Sequence, residues 1–96
     1  MTDARPIDWA LTGMEYRHLG NTGLLVSALS LGSWTTYGGT EDEETCYQCC
    51  TKALEMGCNF FDCAEVYASG QAEIVLGKTI QRWCKEKKCR RSDLVI

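Results

Sequence analysis

Asn59-Phe60-Phe61-Asp62-Cys63-Ala64-Glu65-Val66-Tyr67 holds the pattern that decides the fold. Its first four residues have the size and composition of a short buried strand, and Gly57 and Gly70 punctuate the chain on either side. Asp62 stands at the C-terminal end of that strand. A carboxylate carried on an apolar strand needs a cation or several donors close by, because desolvation otherwise raises its pKa. Two readings stay open for it: a functional acid, or a cap for the loop that follows. Tyr67, on the same loop, can pass a proton to a carbonyl oxygen only if a nearby cation lowers a phenol pKa of about 10. Its other reading is an ordinary loop aromatic.

Working outward, Leu29-Ser30-Leu31-Gly32-Ser33-Trp34 is a second apolar run that ends in small residues, as a buried strand does where it must admit a ligand. Trp34 is then either core or the wall of a pocket. Between the two runs, Thr40 and Glu43 form a capping box, and Cys46, Cys49, Cys50, Ala53 and Leu54 follow helical spacing up to Gly57. Downstream, Ala72, Val75, Leu76, Ile80 and Trp83 make the stripe of a second helix, and Asp93-Leu94-Val95-Ile96 begins a third strand. Upstream, Glu15-Tyr16-Arg17-His18-Leu19 and Leu24-Leu25-Val26-Ser27-Ala28 flank Gly20-Asn21-Thr22-Gly23, which predicts a β-hairpin. Residues 1–13, with Pro6 and no sustained period, read as a flexible leader.

Strands alternating with helices make an α/β chain with a parallel sheet, whose faces must both be covered or whose barrel must close. Two β-α units and one further strand do neither. Residues 14–96 are therefore expected to be part of a larger domain. In β/α barrels the C-terminal strand ends form the active-site face, so Asp62, Ser33 and Trp34 are expected at one mouth.

The composition narrows the function classes. The chain has 96 residues, 45% hydrophobic and 24% charged, and a formal net charge of -3, which offers no overall positive field for nucleic acid. Six of the ten Lys and Arg lie between Arg82 and Arg91, but without interleaved aromatics they read as a solvated helix end and turn. No apolar run is long enough for a membrane span or a signal core, so a cytoplasmic protein is expected. Seven cysteines without a secretion signal argue for reduced thiols. Cys46 and Cys49 share a C-x-x-C spacing, yet within a helix, where buried inert thiol is the better reading than redox or zinc chemistry. Gly20-Asn21-Thr22-Gly23 lacks the dinucleotide fingerprint and sits in a hairpin turn, which rejects a Rossmann domain.

Taken together, Tyr16-Arg17-His18-Leu19-Gly20, Gly23-Leu24-Leu25-Val26-Ser27, Leu31-Gly32-Ser33-Trp34, the Asn59–Tyr67 stretch and Ala72-Glu73-Ile74-Val75-Leu76-Gly77 resemble the start of an aldo-keto reductase. The Asp62–Tyr67 segment and Arg90-Arg91-Ser92-Asp93-Leu94-Val95-Ile96 are most similar to the branch holding the voltage-gated potassium channel beta subunits. The resemblance runs from about Met14 to Ile96. It implies the N-terminal part of a (β/α)8 TIM barrel closed at its bottom by the hairpin, and NADPH-dependent reduction of aldehydes and ketones. It implies Tyr67 as proton donor, Asp62 as its partner beside a lysine and a histidine, and cofactor contacts from Ser33, Trp34, Thr40 and Asp62. Thr40 stands where the channel subunits often have a glutamine. The implied partners are a small carbonyl substrate, a potassium channel alpha subunit and a second copy of the chain; no nucleic acid or inserted membrane segment is implied. The lysine and the histidine lie outside these 96 residues, since His18 sits in the hairpin. The 96-residue chain alone is thus expected to be catalytically silent.

Overall fold

The computed structural model describes residues 7–32 and 42–96. Tyr16–His18 (β1) and Leu25–Ser27 (β2) pair antiparallel, with Tyr16 opposite Ser27, as the hairpin pattern requires. Leu31–Gly32 (β3) pairs parallel with Phe61–Asp62 (β4), Leu31 facing Phe61 and Gly32 facing Asp62. A parallel bridge from Phe60 to Val95 adds the third position to the same sheet. Glu43–Glu55 (α1) joins β3 to β4, and Gln71–Lys85 (α2) joins β4 to the Val95 segment. Consecutive β-α units in parallel order are what the alternation of patterns demands.

Both helices pack on the sheet through one core. Trp83, Phe61, Leu54, Cys46 and Cys50 are its largest fully buried side chains. Phe61 and Trp83 tilt against each other with ring centroids 5.5 Å apart, and the Trp83 indole N–H donates to Thr51 Oγ1 at 2.8 Å, so the aromatic body is buried while its one polar atom is satisfied. Truncating such a side chain to alanine costs about 3–5 kcal/mol. Across the solvent side of the helix pair, Arg82 reaches Glu44 at 3.1 Å and Lys78 reaches Glu43 at 3.4 Å. Exposed pairs like these contribute only about 0–1 kcal/mol each, so the buried aromatics decide how α1 meets α2.

Several local expectations are corrected. The first helix does not start on Thr40: Asp42 is the N-cap, accepting the Thr45 N–H at 2.7 Å, because a carboxylate meets both the free amides and the positive helix end. The stripe of α1 is rotated by part of a turn. Cys49 is exposed and Tyr47 takes the buried place, with the Arg82 guanidinium 3.6 Å above its ring and its hydroxyl donating to Glu86 Oε1 at 2.5 Å. The first core strand starts later than the apolar run: Leu29 is exposed, and among the described residues pairing begins at Leu31, while Ser33 and Trp34 lie outside them. Asp93 belongs to a 3-10 turn, where its carboxylate accepts the Arg90 N–H at 2.9 Å, and extended pairing begins only at Val95.

The basic connection is less solvated than expected. Lys88 is buried, with its ammonium 3.9 Å from Glu55, and its carbonyl accepts the Ile7 N–H at 2.9 Å. Residues 7–13, which carry no period in sequence, include a 3-10 turn over Trp9–Leu11 capped by Asp8. Ile7 and Trp9 pack against the core, and the Trp9 ring meets Tyr16 edge-on with centroids 6.5 Å apart.

Candidate functional site

The parallel register puts Gly32 beside Asp62 at the C-terminal end of the described strands. Asp62 is exposed while its neighbour Phe61 is buried under the helices, the two-residue alternation of a strand with one face covered by helix. The side-chain alternation turns Asp62 away from the helix-covered face. A Cβ built on Gly32 meets no atom of the described residues within 4 Å.

Beyond Asp62 the chain runs Cys63 to Val66 and enters a 3-10 turn at Tyr67. The Tyr67 N–H donates to the Ala64 carbonyl at 3.1 Å, and its half-buried ring packs against the core. The next residues are held in an unusual conformation. Ala68 and Ser69 have φ of 49° and 55°, and Gly70, the N-cap of α2, has φ of 92°. Left-handed backbone costs a non-glycine residue about 1–2 kcal/mol, and such strain concentrates where a side chain must be aimed. Cys63, Ala64 and Glu65, with Leu76, Gly77 and Ile96, line an adjoining groove of about 300 Å³. The two residues singled out for chemistry thus flank one short segment at one end of the sheet. Ser33, Trp34 and Thr40 lie outside the described residues.

The opposite end is set by a residue that the sequence reading took only as part of a strand. Asn59 is buried, and its side chain accepts the Ser27 N–H at 2.7 Å and donates to Leu25 O at 2.9 Å. Its backbone N–H donates to Ser27 Oγ at 3.1 Å, and its carbonyl accepts the Val95 N–H at 2.8 Å. One amide side chain therefore ties the hairpin to the start of β4. Three residues along an extended strand span about 10 Å, so the hairpin and its His18 are anchored at the end away from Asp62. A polar residue opening an apolar strand was the available signal, but the partner it serves is over thirty residues away.

Among the described residues, no group of three or more His, Cys, Asp and Glu side chains could hold a metal ion, and no helix is long and apolar enough to cross a membrane.

Comparison with known proteins agrees with this geometry. Residues 28–96 match the model of the aldo/keto reductase family. Among solved structures, the chain is similar to an aldo-keto reductase from Bacillus halodurans in its holo form, with a TM-score of 0.71 and 30% identity over 86% of this chain and 24% of that one. It is also similar to a thermostable aldo-keto reductase in complex with the inhibitor epalrestat, with a TM-score of 0.67 and 37% identity over 84% of this chain and 29% of that one. The chain thus spans 24% and 29% of the length of these relatives. With a family match over most of its residues, and with its parallel β-α order superimposing on their barrels, the chain belongs to the aldo/keto reductase family.

Proposed function

We propose that these residues supply the opening β-α units of a cytoplasmic, NADPH-dependent carbonyl reductase in which Tyr67 is the proton donor. The observation that carries this reading is the placement of Asp62 at the C-terminal end of β4 with Tyr67 on the turn that follows. That end is the active-site face of a β/α barrel. The exposed carboxylate of Asp62 suits a nicotinamide nucleotide, whose ribose hydroxyl needs an acceptor. Ser33, Trp34 and Thr40 would add further contacts to it.

When bound, the nicotinamide supplies the hydride for the carbonyl carbon. The residues of this chain manage the proton. The Tyr67 hydroxyl donates to the carbonyl oxygen as negative charge builds there, from a loop that follows the strand end. An unassisted phenol is too weak an acid for this at neutral pH, so a cation must stand close to it; the resemblance assigns that part to a lysine after the third strand. Asp62 orients this group of side chains and accepts from the nucleotide.

Tyr67→Phe in the full-length protein tests the assignment. Carbonyl reduction should fall by about 10²-fold or more while NADPH affinity is kept, since the lost hydroxyl acts mainly in the chemical step. Turnover equal to wild type would overturn it. The Asp62–Tyr67 motif also supports a second reading, a regulatory potassium channel beta subunit that uses NADPH as a sensor. Co-purification with a channel alpha subunit supports that reading, and its failure under conditions that retain NADPH counts against it.

A further inference from the structure

The strand that ends at Asp62 is pinned at its other end by polar bonds, and the pin also reaches the strand beside it. The Asn59 side chain accepts the Ser27 N–H at 2.7 Å and donates to the Leu25 carbonyl at 2.9 Å, while its backbone N–H donates to Ser27 Oγ at 3.1 Å and its carbonyl accepts the Val95 N–H at 2.8 Å. Ser27 Oγ accepts that bond and gives its own proton to the Leu29 carbonyl at 2.6 Å, just ahead of β3. Both side chains are buried. One knot of hydrogen bonds therefore holds the hairpin, the lead into β3, the start of β4 and the Val95 segment.

We propose that Asn59 and Ser27 are positioning residues for carbonyl reduction: they set the height of β3 and β4 against each other, and so the place of Gly32 and Asp62 at the C-terminal strand ends, without touching substrate or nucleotide. Asn59 acts over the three residues of strand, about 10 Å, that lead to Asp62. Ser27 acts on both strands, through the Asn59 N–H on β4 and the Leu29 carbonyl ahead of β3. The inference rests on the reading of Asp62 and Tyr67 as the carbonyl site.

Hydrophobic burial alone does not fix this height. Side chains alternate along a strand with a period of two, so sliding β4 by two residues against β3 keeps each face in place and still moves Asp62 by about 7 Å. The polar knot forbids the slide, because it would leave the Asn59 amide and the Ser27 hydroxyl buried without their partners. Far smaller shifts matter to the chemistry: a misplacement of about 1 Å can cost a reaction about 10²-fold in rate.

Single-turnover reduction of para-nitrobenzaldehyde by the NADPH-loaded full-length protein separates position from folding, since a loss of folded enzyme lowers the amplitude and a misplaced site lowers the rate constant. Ser27→Ala keeps the side-chain bonds of Asn59, which go to backbone groups of the hairpin, and removes only the hydroxyl. Its rate constant should fall about 10-fold at full amplitude. Asn59→Asp still accepts from Ser27 but cannot donate to Leu25, and its rate constant should fall at least as far. Tyr47→Phe loses the bond to Glu86 between the two helices, so it should melt at a lower temperature yet keep the wild-type rate constant. Wild-type rate constants in Ser27→Ala and Asn59→Asp, whatever their amplitudes, beside an inactive Tyr67→Phe would overturn the positioning role and leave the carbonyl site standing. A fully active Tyr67→Phe would remove both. A fall in Tyr47→Phe equal to that in Ser27→Ala would also overturn it, because activity would then follow stability alone.

Discussion

Gly57 settles how the N-terminal segment reaches the body of the molecule. It ends α1 with φ of 97°, its N–H donating to Leu54 O at 2.9 Å and the Cys58 N–H donating to Ala53 O at 3.0 Å. A Cβ added there would stand 2.7 Å from the Met14 Cβ and 2.8 Å from the Thr12 Cβ, while its carbonyl accepts the Tyr16 hydroxyl at 2.5 Å. Gly57→Ala should therefore cost about 2–5 kcal/mol, adding a left-handed penalty to a steric one, as read by urea denaturation of the full-length protein. A loss below 1 kcal/mol would mean that residues 12–14 do not pack on Gly57. At Asn59, substitution by alanine strands the Ser27 N–H and the Leu25 carbonyl inside the structure. The expected cost is about 2–4 kcal/mol, from a buried donor and a buried acceptor left without partners. Faster amide exchange should appear at Leu25–Ser27 in the same variant.

Among the elements, α1 shows what a pH titration can isolate. The Thr45 amide and hydroxyl, bonding to the carboxylate, hold Asp42 below the usual aspartate range. A carboxyl group whose folded pKa is depressed stabilises the fold fully above its unfolded value and loses that contribution as pH falls through the folded value. Asp42→Asn should thus flatten the acid limb of stability below the ordinary aspartate range and leave the neutral region nearly unchanged, because asparagine also caps. Circular dichroism at 222 nm across an acid series checks this; an identical acid limb in the two proteins would contradict it.

Much of this level was legible in the residues. Period-two and period-3.6 patterns placed the hairpin, both helices and the sheet strands, since burial of one face dictates spacing. Cys49 was misplaced because a small thiol and a large phenol compete for the same helical face, and Tyr47 gains a guanidinium and a carboxylate supplied from α2. Likewise Asp93 was read into a strand because its bond to the Arg90 amide belongs to turn chemistry and not to hydrophobic period. Asp62 and Tyr67 could be picked out as residues of the strand end and the loop after it. The clamp at Asn59 could not, for its partners Leu25 and Ser27 come from the far side of the sequence.

On the scale of the whole molecule, the described residues form a β-α unit of the kind found in the related aldo-keto reductases: a parallel sheet with helices packed on it, a hairpin tied to one end, and Asp62 with the loop to Tyr67 at the other. The related structures are three to four times longer, so their remaining strands have room to cover the second face. That polarity between the two ends carries the functional reading. Amide hydrogen exchange of the full-length protein with and without NADPH tests it most directly. Nucleotide should slow exchange at Gly32 and across Asp62–Gly70 and leave the hairpin at Tyr16–Ser27 unchanged; slowed exchange in the hairpin with none around Asp62 would place the nucleotide at the wrong end and contradict the account.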